Sequence, residues 1–280
     1  MIALAPEAAP RPPPSPKVES QADRLDYLAG TVSASRLNTF LTCRLKFYFR
    51  HVVKIERPKS PALHLGSTVH TVLKAWHKGR WKNEPLSPEH LRAVYETAWG
   101  SDQEGAVQWD DPEEEEAQRR MGWRLLEMYF RDSNIRKDVH PEAVEVPVET
   151  DLSRHGLPRL IGIIDLVQQG KIIDYKTAAT TPNPSTAGHL HEVQVSSYAV
   201  LYRDATGRQE TGIELHHLVK LKKNPKLVIT AAPPITDRQQ SRLFRLIESY
   251  VDGVERRDFI PSPGLACMSC EYLGQCRLWS

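Results

Sequence analysis

The spacing of apolar residues along the chain changes at about residue 135. Before this point they recur every three or four positions, which is the period of an α-helix, whereas several short Val- and Ile-rich segments follow it. The first predicted helix is capped by Ser33 or Ser35 and ends before Pro58. A second covers 66–78, a third begins at Ser87, and helical character continues over 113–131. The first 130 residues are therefore predicted to be mainly helical.

The second part combines strands with helices. Predicted strands cover 142–150, 160–167, 171–177, 213–221 and 226–232. A helical pattern covers 188–203, and Thr236 with Gln239 forms a capping box that begins a last helix, ending near residue 257. This order predicts an α+β fold in which helices flank a central mixed β-sheet.

Length and composition favour a single main domain. At 280 residues and 31.8 kDa, the chain can bury a sizeable core without disulfides. We expect this domain to cover 31–280, with a mainly helical part at 31–135, the sheet at 140–235, and a last helix with a cysteine loop at 236–280. Residues 1–30 are rich in Pro and Ala and are predicted to be a disordered tail. They lack the apolar run of a signal peptide, so a cytoplasmic location is expected.

Charge is unevenly distributed, although the net charge is only +2. Residues 31–82 contain eleven Lys or Arg and one acidic residue, Glu56, whereas 102–116 contain eight acidic residues and no basic one. Aromatic residues such as Phe47 and Trp76 are interleaved in the basic stretch, as in segments that bind nucleic acid. On charge alone, a solvated helix face balanced by an acidic loop explains the pattern equally well.

Two carboxylates and a lysine are brought together by a predicted hairpin. If Gln169 and Gly170 form its turn, strand residues pair when their numbers sum to 339, so Asp165 lies opposite Asp174. Side-chain alternation places Lys176 on the face of Asp174. Such a group suits metal-assisted phosphodiester hydrolysis, because carboxylate oxygens hold Mg²⁺ or Mn²⁺ and leave positions for water and a phosphate oxygen. A surface ion pair is the ordinary alternative.

Each of three further polar residues, taken alone, is weak evidence for a functional site. Gln194 and Tyr198 lie four residues apart on a predicted helix and share a face, which could present an amide and a phenol to a DNA strand. Such a pair is more often an ordinary helix surface. A lone histidine such as His70 is likewise more often a packing residue than a ligand.

Taken together, these segments resemble the RecB-like branch of the PD-(D/E)XK nuclease superfamily. The resemblance rests on short motifs in a fixed order: SASRLNTFLTCRLKFYFR, LGSTVH with His70, GIID with Asp165, DYKT with Asp174 and Lys176, QVSSY with Gln194 and Tyr198, and a C-terminal cysteine loop. It implies an α/β/α core of the restriction-endonuclease type and a nuclease activity.

The resemblance also implies roles for individual residues. The implied site consists of His70, Asp165, Asp174 and the backbone carbonyl of Tyr175 as ligands of the divalent cation, Lys176 as the catalytic lysine, and Gln194 and Tyr198 as residues that contact DNA and support the active site. Glu145, on the preceding predicted strand, is a weaker candidate because its position is harder to align.

The four cysteines form a pattern unusual for zinc. Cys267, Cys270 and Cys276 lie in the segment ACMSCEYLGQC, and Cys43 is the single remaining cysteine. This C-x2-C-x5-C loop with a distant partner differs from the paired knuckles of Cys₄ zinc sites. It resembles the [4Fe-4S] arrangement of the iron-sulfur branch of the family, which includes AddB-type nuclease domains and CRISPR-associated RecB-like exonucleases. The cluster would clamp the two ends of the domain together, and zinc is the alternative. Arg44 follows Cys43, where the family often has proline.

The resulting expectation is a divalent-metal-dependent DNA nuclease, an exonuclease on single-stranded ends that acts in DNA repair, recombination or CRISPR adaptation. The expected partner is DNA, and the lack of a GxxxxGK[ST] loop argues against an ATP-driven motor. The chain could work alone, with a separately encoded helicase or CRISPR integrase, or in a mobile element. Two other classes fit parts of the sequence. One is a non-catalytic DNA-binding or scaffold subunit of a helicase-nuclease or CRISPR adaptation complex, and the other is a zinc-binding regulator without a nuclease fold.

Overall fold

A six-stranded mixed β-sheet lies at the centre of the fold in the computed structural model, which describes residues 20–101, 107–221 and 223–279. Its strands are β1 (Thr31–Ser33), β2 (Ala143–Thr150), β3 (Arg159–Gln168), β4 (Lys171–Ala178), β5 (Gly212–Val219) and β6 (Lys226–Ala232). Neighbouring strands follow the order β1-β3-β4-β5-β6, and β2 also pairs with β3. The β1–β3 and β4–β5 pairs are parallel and the others antiparallel, which confirms the predicted α+β fold with a mixed sheet.

Helices flank this sheet and form two apolar cores with it. They are α1 (Gln21–Gly30), α2 (Ala34–Thr42), α3 (Arg44–Phe47), a π-helix (Tyr48–Val52), α4 (Pro61–Trp81), α5 (Pro88–Trp99), α6 (Pro112–Arg131), α7 (Pro184–Leu190), α8 (Glu192–Thr206), α9 (Asp237–Glu255) and α10 (Leu273–Leu278), with 3₁₀ turns at Ser153–His155 and Leu265–Ser269. The first core contains residues of α1, α2, α8 and α9, and the second contains residues of α4, α5 and α6. Among the helices described, none is long and apolar enough to cross a membrane.

The first predicted helix is interrupted, the helix predicted at 66–78 begins earlier, at Pro61, and the pattern predicted at 188–203 is divided between α7 and α8. The caps predicted at Ser87 and at Thr236 with Gln239 are present. The interruption is at Cys43, whose backbone is extended with φ of −163°. Helix α2 ends before this residue and α3 begins after it, so the thiol lies at a bend although no proline follows.

Part of the predicted N-terminal tail is folded. Residues 1–19 lie outside the described part of the chain, but residues 20–30 form a capped helix instead of a disordered segment. Ser20 begins a capping box, and Leu25 and Leu28 are buried in the first core, where α1 packs against α9. Composition averaged over the first thirty residues conceals this amphipathic stretch, because the Pro-rich part precedes it.

Strand β3 changes its partner along one edge. Residues 159–161 pair with β1, and residues 166–168 pair with β4. Strand β2 pairs with β3 over both of these stretches. It therefore lies along one edge of β3, and β1 and β4 share the other edge of β3. This shared edge is open over residues 162–165, between the two partners. The sheet therefore has a gap next to the predicted carboxylate Asp165.

Close packing of α9 against α2 requires a glycine. A Cβ atom at Gly253 would lie 2.4 Å from Cζ of Phe40, whose ring is only 1% exposed and packs against Tyr250. We expect Gly253→Ala to lower the free energy of unfolding by about 1 to 3 kcal/mol in urea denaturation. The matched variant Gly188→Ala, in α7 where no atom lies within 4 Å, should leave it unchanged or raise it slightly. Equal stability of the two variants would contradict this packing.

Candidate metal centre

The hairpin between β3 and β4 has the register predicted from the sequence. In each of its ladder pairs the two residue numbers sum to 339. Gln169 and Gly170 form the turn with φ of 52° and 72°, as a two-residue type I′ turn requires. Asp165 and Asp174 would be the next pair in this register, but the ladder ends one position earlier, at Leu166 and Ile173.

The two strands separate at Asp165. Its Oδ2 accepts a hydrogen bond from the backbone N–H of Tyr175 at 3.1 Å. The carboxylate thus replaces a strand-to-strand hydrogen bond and satisfies a buried backbone donor that the separation leaves unpaired. Asp165 is held in one orientation at the gap in the sheet.

Side-chain alternation along β3 changes face at the same place. Ile164 and Val167 belong to the core under α8, whereas Leu166 belongs to the core under α4. Glu145 of β2 lies opposite Asp165 in the register and interrupts its ladder, because its φ is 50°. A glutamate in this left-handed region costs on the order of 1 kcal/mol, and such strained residues cluster at functional sites.

Three potential metal ligands from three different elements converge at this gap. The donor atoms of His70, Glu145 and Asp165 all lie within 4.8 Å of one another, and no other group of three or more such residues is this close in the described part of the chain. His70 Nδ1 lies 3.5 Å from Asp165 Oδ2, and His70 Nε2 lies 3.0 Å from the carbonyl oxygen of Tyr175. Imidazole, carboxylate and carbonyl groups together suit a divalent cation such as Mn²⁺ or Mg²⁺.

Asp174 contacts the predicted catalytic lysine rather than this group. Lys176 Nζ lies 2.7 Å from Asp174 Oδ2 and donates to Gln194 Oε1 at 2.7 Å. Gln194 Nε2 donates to Asp174 Oδ1 at 3.0 Å and to the hydroxyl of Tyr198 at 2.9 Å. Gln194 and Tyr198, predicted from the sequence, therefore contact the site and connect its members.

One buried oxygen of Asp174 remains available to a cation. Its Oδ2 is close to the Lys176 ammonium, but the contact lies outside hydrogen-bond geometry and this buried atom has no hydrogen-bond partner among the described residues. The Lys176 ammonium compensates the charge of this oxygen, and the oxygen keeps a lone pair that a cation can use. The residues present therefore fit a divalent cation at the gap.

Burial and mutual repulsion alter the acidity of this site. Burial raises the pKa of Asp165 above its ordinary value; the charge of His70 opposes this shift and the charge of Asp174 adds to it. Burial also raises the pKa of Tyr198, and the negative charges of Asp174 and Asp165 raise it further. Its hydroxyl therefore stays protonated and can take part in hydrogen bonds. A bound cation would offset the repulsion among the carboxylates.

Sequence reasoning underrated Glu145 and missed Lys74. The structure brings Glu145 into the close ligand group, whereas Asp174 lies outside it. Lys74 Nζ is 3.2 Å from Glu145 Oε2. The available signal was spacing, because Lys74 follows His70 by four residues on one helix and thus shares its face.

Three of the four cysteines lie around one small group of buried residues. Cys43, Cys270 and Cys276 pack around one small apolar cluster. Burial raises the pKa of the Cys276 thiol, and the neighbouring groups of Cys43, Cys267 and Cys270 raise it further. All four are free cysteines, and among the described residues no three of these thiols have sulfur atoms within 4.8 Å of one another.

Direct contacts also join the two ends of the domain. Arg44 forms an ion pair with Asp258, and Lys46 Nζ lies 2.9 Å from Glu271 Oε2. Arg44 stands where the family often has proline, and here its guanidinium fixes α3 to the segment after α9. The junction therefore has protein contacts of its own, independent of any metal.

One of the comparisons with known proteins identifies a family. The family model described as the PD-(D/E)XK nuclease superfamily matches residues 31–277. No curated protein matches the sequence. A solved structure described as "Crystal structure of SSO0001" aligns with a TM-score of 0.42 and 11% sequence identity, covering 92% of this chain and 94% of that chain, a likeness too distant to support a functional argument.

Proposed function

Because the chain belongs to the PD-(D/E)XK nuclease superfamily, whose members are metal-dependent nucleases, we propose that it is a DNA exonuclease that acts on single-stranded ends. The observation that carries this proposal is the convergence of His70, Glu145 and Asp165 beside the Asp174–Lys176 pair at the gap in the sheet. The order of motifs along the chain supports a place in the RecB-like branch.

The chain's own residues would hold the divalent cation and the phosphate. We propose His70, Glu145, Asp165 and the carbonyl of Tyr175 as cation ligands, together with Oδ2 of Asp174, which would be shared between the cation and the Lys176 ammonium. When bound, Mg²⁺ or Mn²⁺ polarises the scissile phosphate and lowers the pKa of a coordinated water.

Lys176 would supply positive charge where negative charge develops on the phosphate. Its ammonium is fixed by Asp174 and Gln194, and Gln194 is fixed in turn by Tyr198. A charge held in place beforehand needs no reorganisation during the reaction, which makes it effective in lowering the barrier. These contacts support a catalytic role for Lys176 and a positioning role for Gln194.

The direct test is digestion of end-labelled DNA by the purified full-length chain. With Mn²⁺ or Mg²⁺, we expect linear single strands to be shortened from an end, covalently closed single-stranded circles to stay intact, and EDTA to stop the reaction. Cut circles would contradict the exonuclease proposal. Binding of DNA without any cleavage would instead favour the non-catalytic scaffold subunit.

The cysteines would hold a [4Fe-4S] cluster that joins the two ends of the domain. The C-x2-C-x5-C loop with a distant fourth cysteine differs from the paired knuckles of Cys₄ zinc sites, and this spacing supports the cluster. Anaerobic purification with iron, sulfide and zinc assays tests this; a colourless protein with one zinc and no iron would contradict the cluster.

A separately encoded helicase or CRISPR integrase is the proposed partner, in DNA repair, recombination or CRISPR adaptation. Support for this proposal comes from the order of motifs, which resembles the RecB-like branch of the family. Purification of a tagged full-length chain from its host should recover such a protein, identified by mass spectrometry. Recovery of neither kind of protein would contradict this proposal.

Glu145 should contribute to cation affinity. Because its carboxylate belongs to the close ligand group, Glu145→Gln is expected to raise the Mn²⁺ concentration for half-maximal cleavage about tenfold or more. Glu149→Gln is the matched control, since Glu149 lies on the same strand and is exposed beside Arg159. An unchanged Mn²⁺ dependence in Glu145→Gln would exclude Glu145 as a ligand.

A further inference from the structure

A large basic groove lies between the N-terminal helices and the cysteine segment. We call it the basic groove; it is bordered by α1, the π-helix, the start of α4, the start of β3 and the segment after Leu265. Its volume is about 1180 Å³, and seven Lys or Arg side chains line it against two Glu. It is too large for a single metabolite-sized ligand of ordinary dimensions, and its charge suits a polyanion.

Several of these cations are exposed and available to a ligand. Arg50, Lys54 and Arg57 are exposed, and neither Arg50 nor Lys54 forms an ion pair with a described residue. The pKa of His51 is lowered to about 4, mainly by burial and further by the positive charges of Arg50 and Arg36. The groove therefore has uncompensated positive charge.

The cysteine segment forms one wall of this groove. Ser269 and Tyr272 line it, and the guanidinium carbon of Arg57 lies 5.5 Å from the ring centroid of Tyr272. This contact orients a groove cation through a cation–π interaction. The shape of the groove thus depends on the segment that carries three of the four cysteines.

Two elements lead from the groove to the candidate metal centre. Leu63 lines the groove, and His70 follows it by two turns on the same face of α4, about 10 Å further along the helix axis. Ile161 also lines the groove, and Asp165 follows four residues later on β3, about 13 Å along the strand. The groove therefore ends close to the metal centre on two independent paths.

Apolar side chains are exposed along both paths. Leu63 and Ile163 are each 51% exposed, in contrast to the buried apolar residues of the same elements. Exposed apolar groups beside a phosphate-binding groove can contact bases without reading their identity, as in sites that bind single strands.

We propose that the basic groove binds the single-stranded part of a nucleic acid substrate through its phosphates and leads its end past Leu63 and Ile163 to the metal centre. This inference rests on the proposed nuclease function and assigns its substrate path. Phosphate contacts of this kind are independent of sequence and sensitive to salt.

Binding of an oligothymidylate of about 16 nucleotides, followed by fluorescence anisotropy in EDTA over a salt series, tests the groove directly. Arg50→Ala/Lys54→Ala should weaken binding about tenfold and reduce the slope of log affinity against log salt by about 1.4. The charge-retaining variant Arg50→Lys/Lys54→Arg should bind like the wild type.

The matched control removes the same charge from another surface. Arg238 and Arg245 are exposed on α9, outside the groove, so Arg238→Ala/Arg245→Ala should leave affinity and salt slope unchanged. Unchanged affinity of the Arg50→Ala/Lys54→Ala variant, or an equal loss in the control, would overturn the inference. Competition by polyglutamate as strong as by oligothymidylate would also overturn it, since the ligand would then be an acidic peptide.

Cleavage kinetics separate the groove from the metal centre. The Arg50→Ala/Lys54→Ala variant should raise KM for the long strand and leave kcat unchanged, while a dinucleotide, too short to reach both places, should be cleaved at the wild-type rate. If the wild type binds strands through the groove but never cleaves them, the nuclease proposal fails, and the inference that the groove binds single strands stands. If it cleaves and the groove variants behave like the wild type, the groove inference alone fails.

Discussion

Replacing Lys176 by alanine should reduce the rate of DNA cleavage by about a hundredfold to a thousandfold at saturating Mn²⁺. The reason is the fixed position of its ammonium, 2.7 Å from both Asp174 Oδ2 and Gln194 Oε1 at the edge of the candidate metal centre. Loss of this charge removes stabilisation that is needed only as negative charge develops on the phosphate. Strand binding in EDTA should change little, so the defect should appear in kcat.

Lys171 provides the matched control on the same strand. Its Nζ pairs with Glu214 at 2.5 Å at the opposite end of β4, away from the metal centre, so Lys171→Ala should cleave DNA at nearly the wild-type rate. Because Lys176→Ala leaves the buried carboxylate of Asp174 with one partner fewer, thermal unfolding of both variants should be compared with and without Mn²⁺. Full activity of folded Lys176→Ala, or an equal loss in Lys171→Ala, would exclude the catalytic role.

Loss of one cysteine should affect the stability of the domain before it affects the chemistry. Cys43→Ser and Cys276→Ser are each expected to lower iron content and to decrease the free energy of unfolding by roughly 4 to 5 kcal/mol, by analogy with a disulfide that closes a loop of similar length. The proposed cluster would connect the bend after α2 with the last helix, and its ligation energy adds to folding.

The order of the losses decides between a clamp and a catalytic centre. Met268→Ser is the control within the cysteine loop, because this side chain is 86% exposed, and it should keep both iron and stability. The ion pairs Arg44–Asp258 and Lys46–Glu271 join the same segments without a metal, so folding of each serine variant should be checked at low temperature before its cleavage is measured. Variants with full thermal stability and no cleavage would contradict the clamp.

The hairpin shows how far local sequence reasoning extends. The turn residues Gln169 and Gly170 determine the register by themselves, since a two-residue turn allows a single pairing of its flanking strands. From that register the approach of Asp165, Asp174 and Lys176 follows without further information. The observed ladder agrees, and the Lys176–Asp174 contact is present.

Glu145 shows where such reasoning ends. A regular alternation along β3 predicts that Ile164 and Leu166 share a face, but they belong to different cores. The change of face coincides with the left-handed backbone of Glu145, which lies on another strand twenty residues earlier. No pattern within either segment signals it, because the packing of the whole sheet maintains the strained conformation.

The sequence by itself determined the helical and strand segments, the hairpin register and the identity of most candidate ligands. These depend on periodicity, turn chemistry and residue type, which act over a few positions. Only the tertiary structure decided that α1 belongs to the core, that Glu145 joins His70 and Asp165 in the close ligand group, and that seven Lys or Arg side chains line one groove. The physical reason is that burial, strain and charge complementarity arise between segments distant in sequence, and they are settled only when all elements pack together.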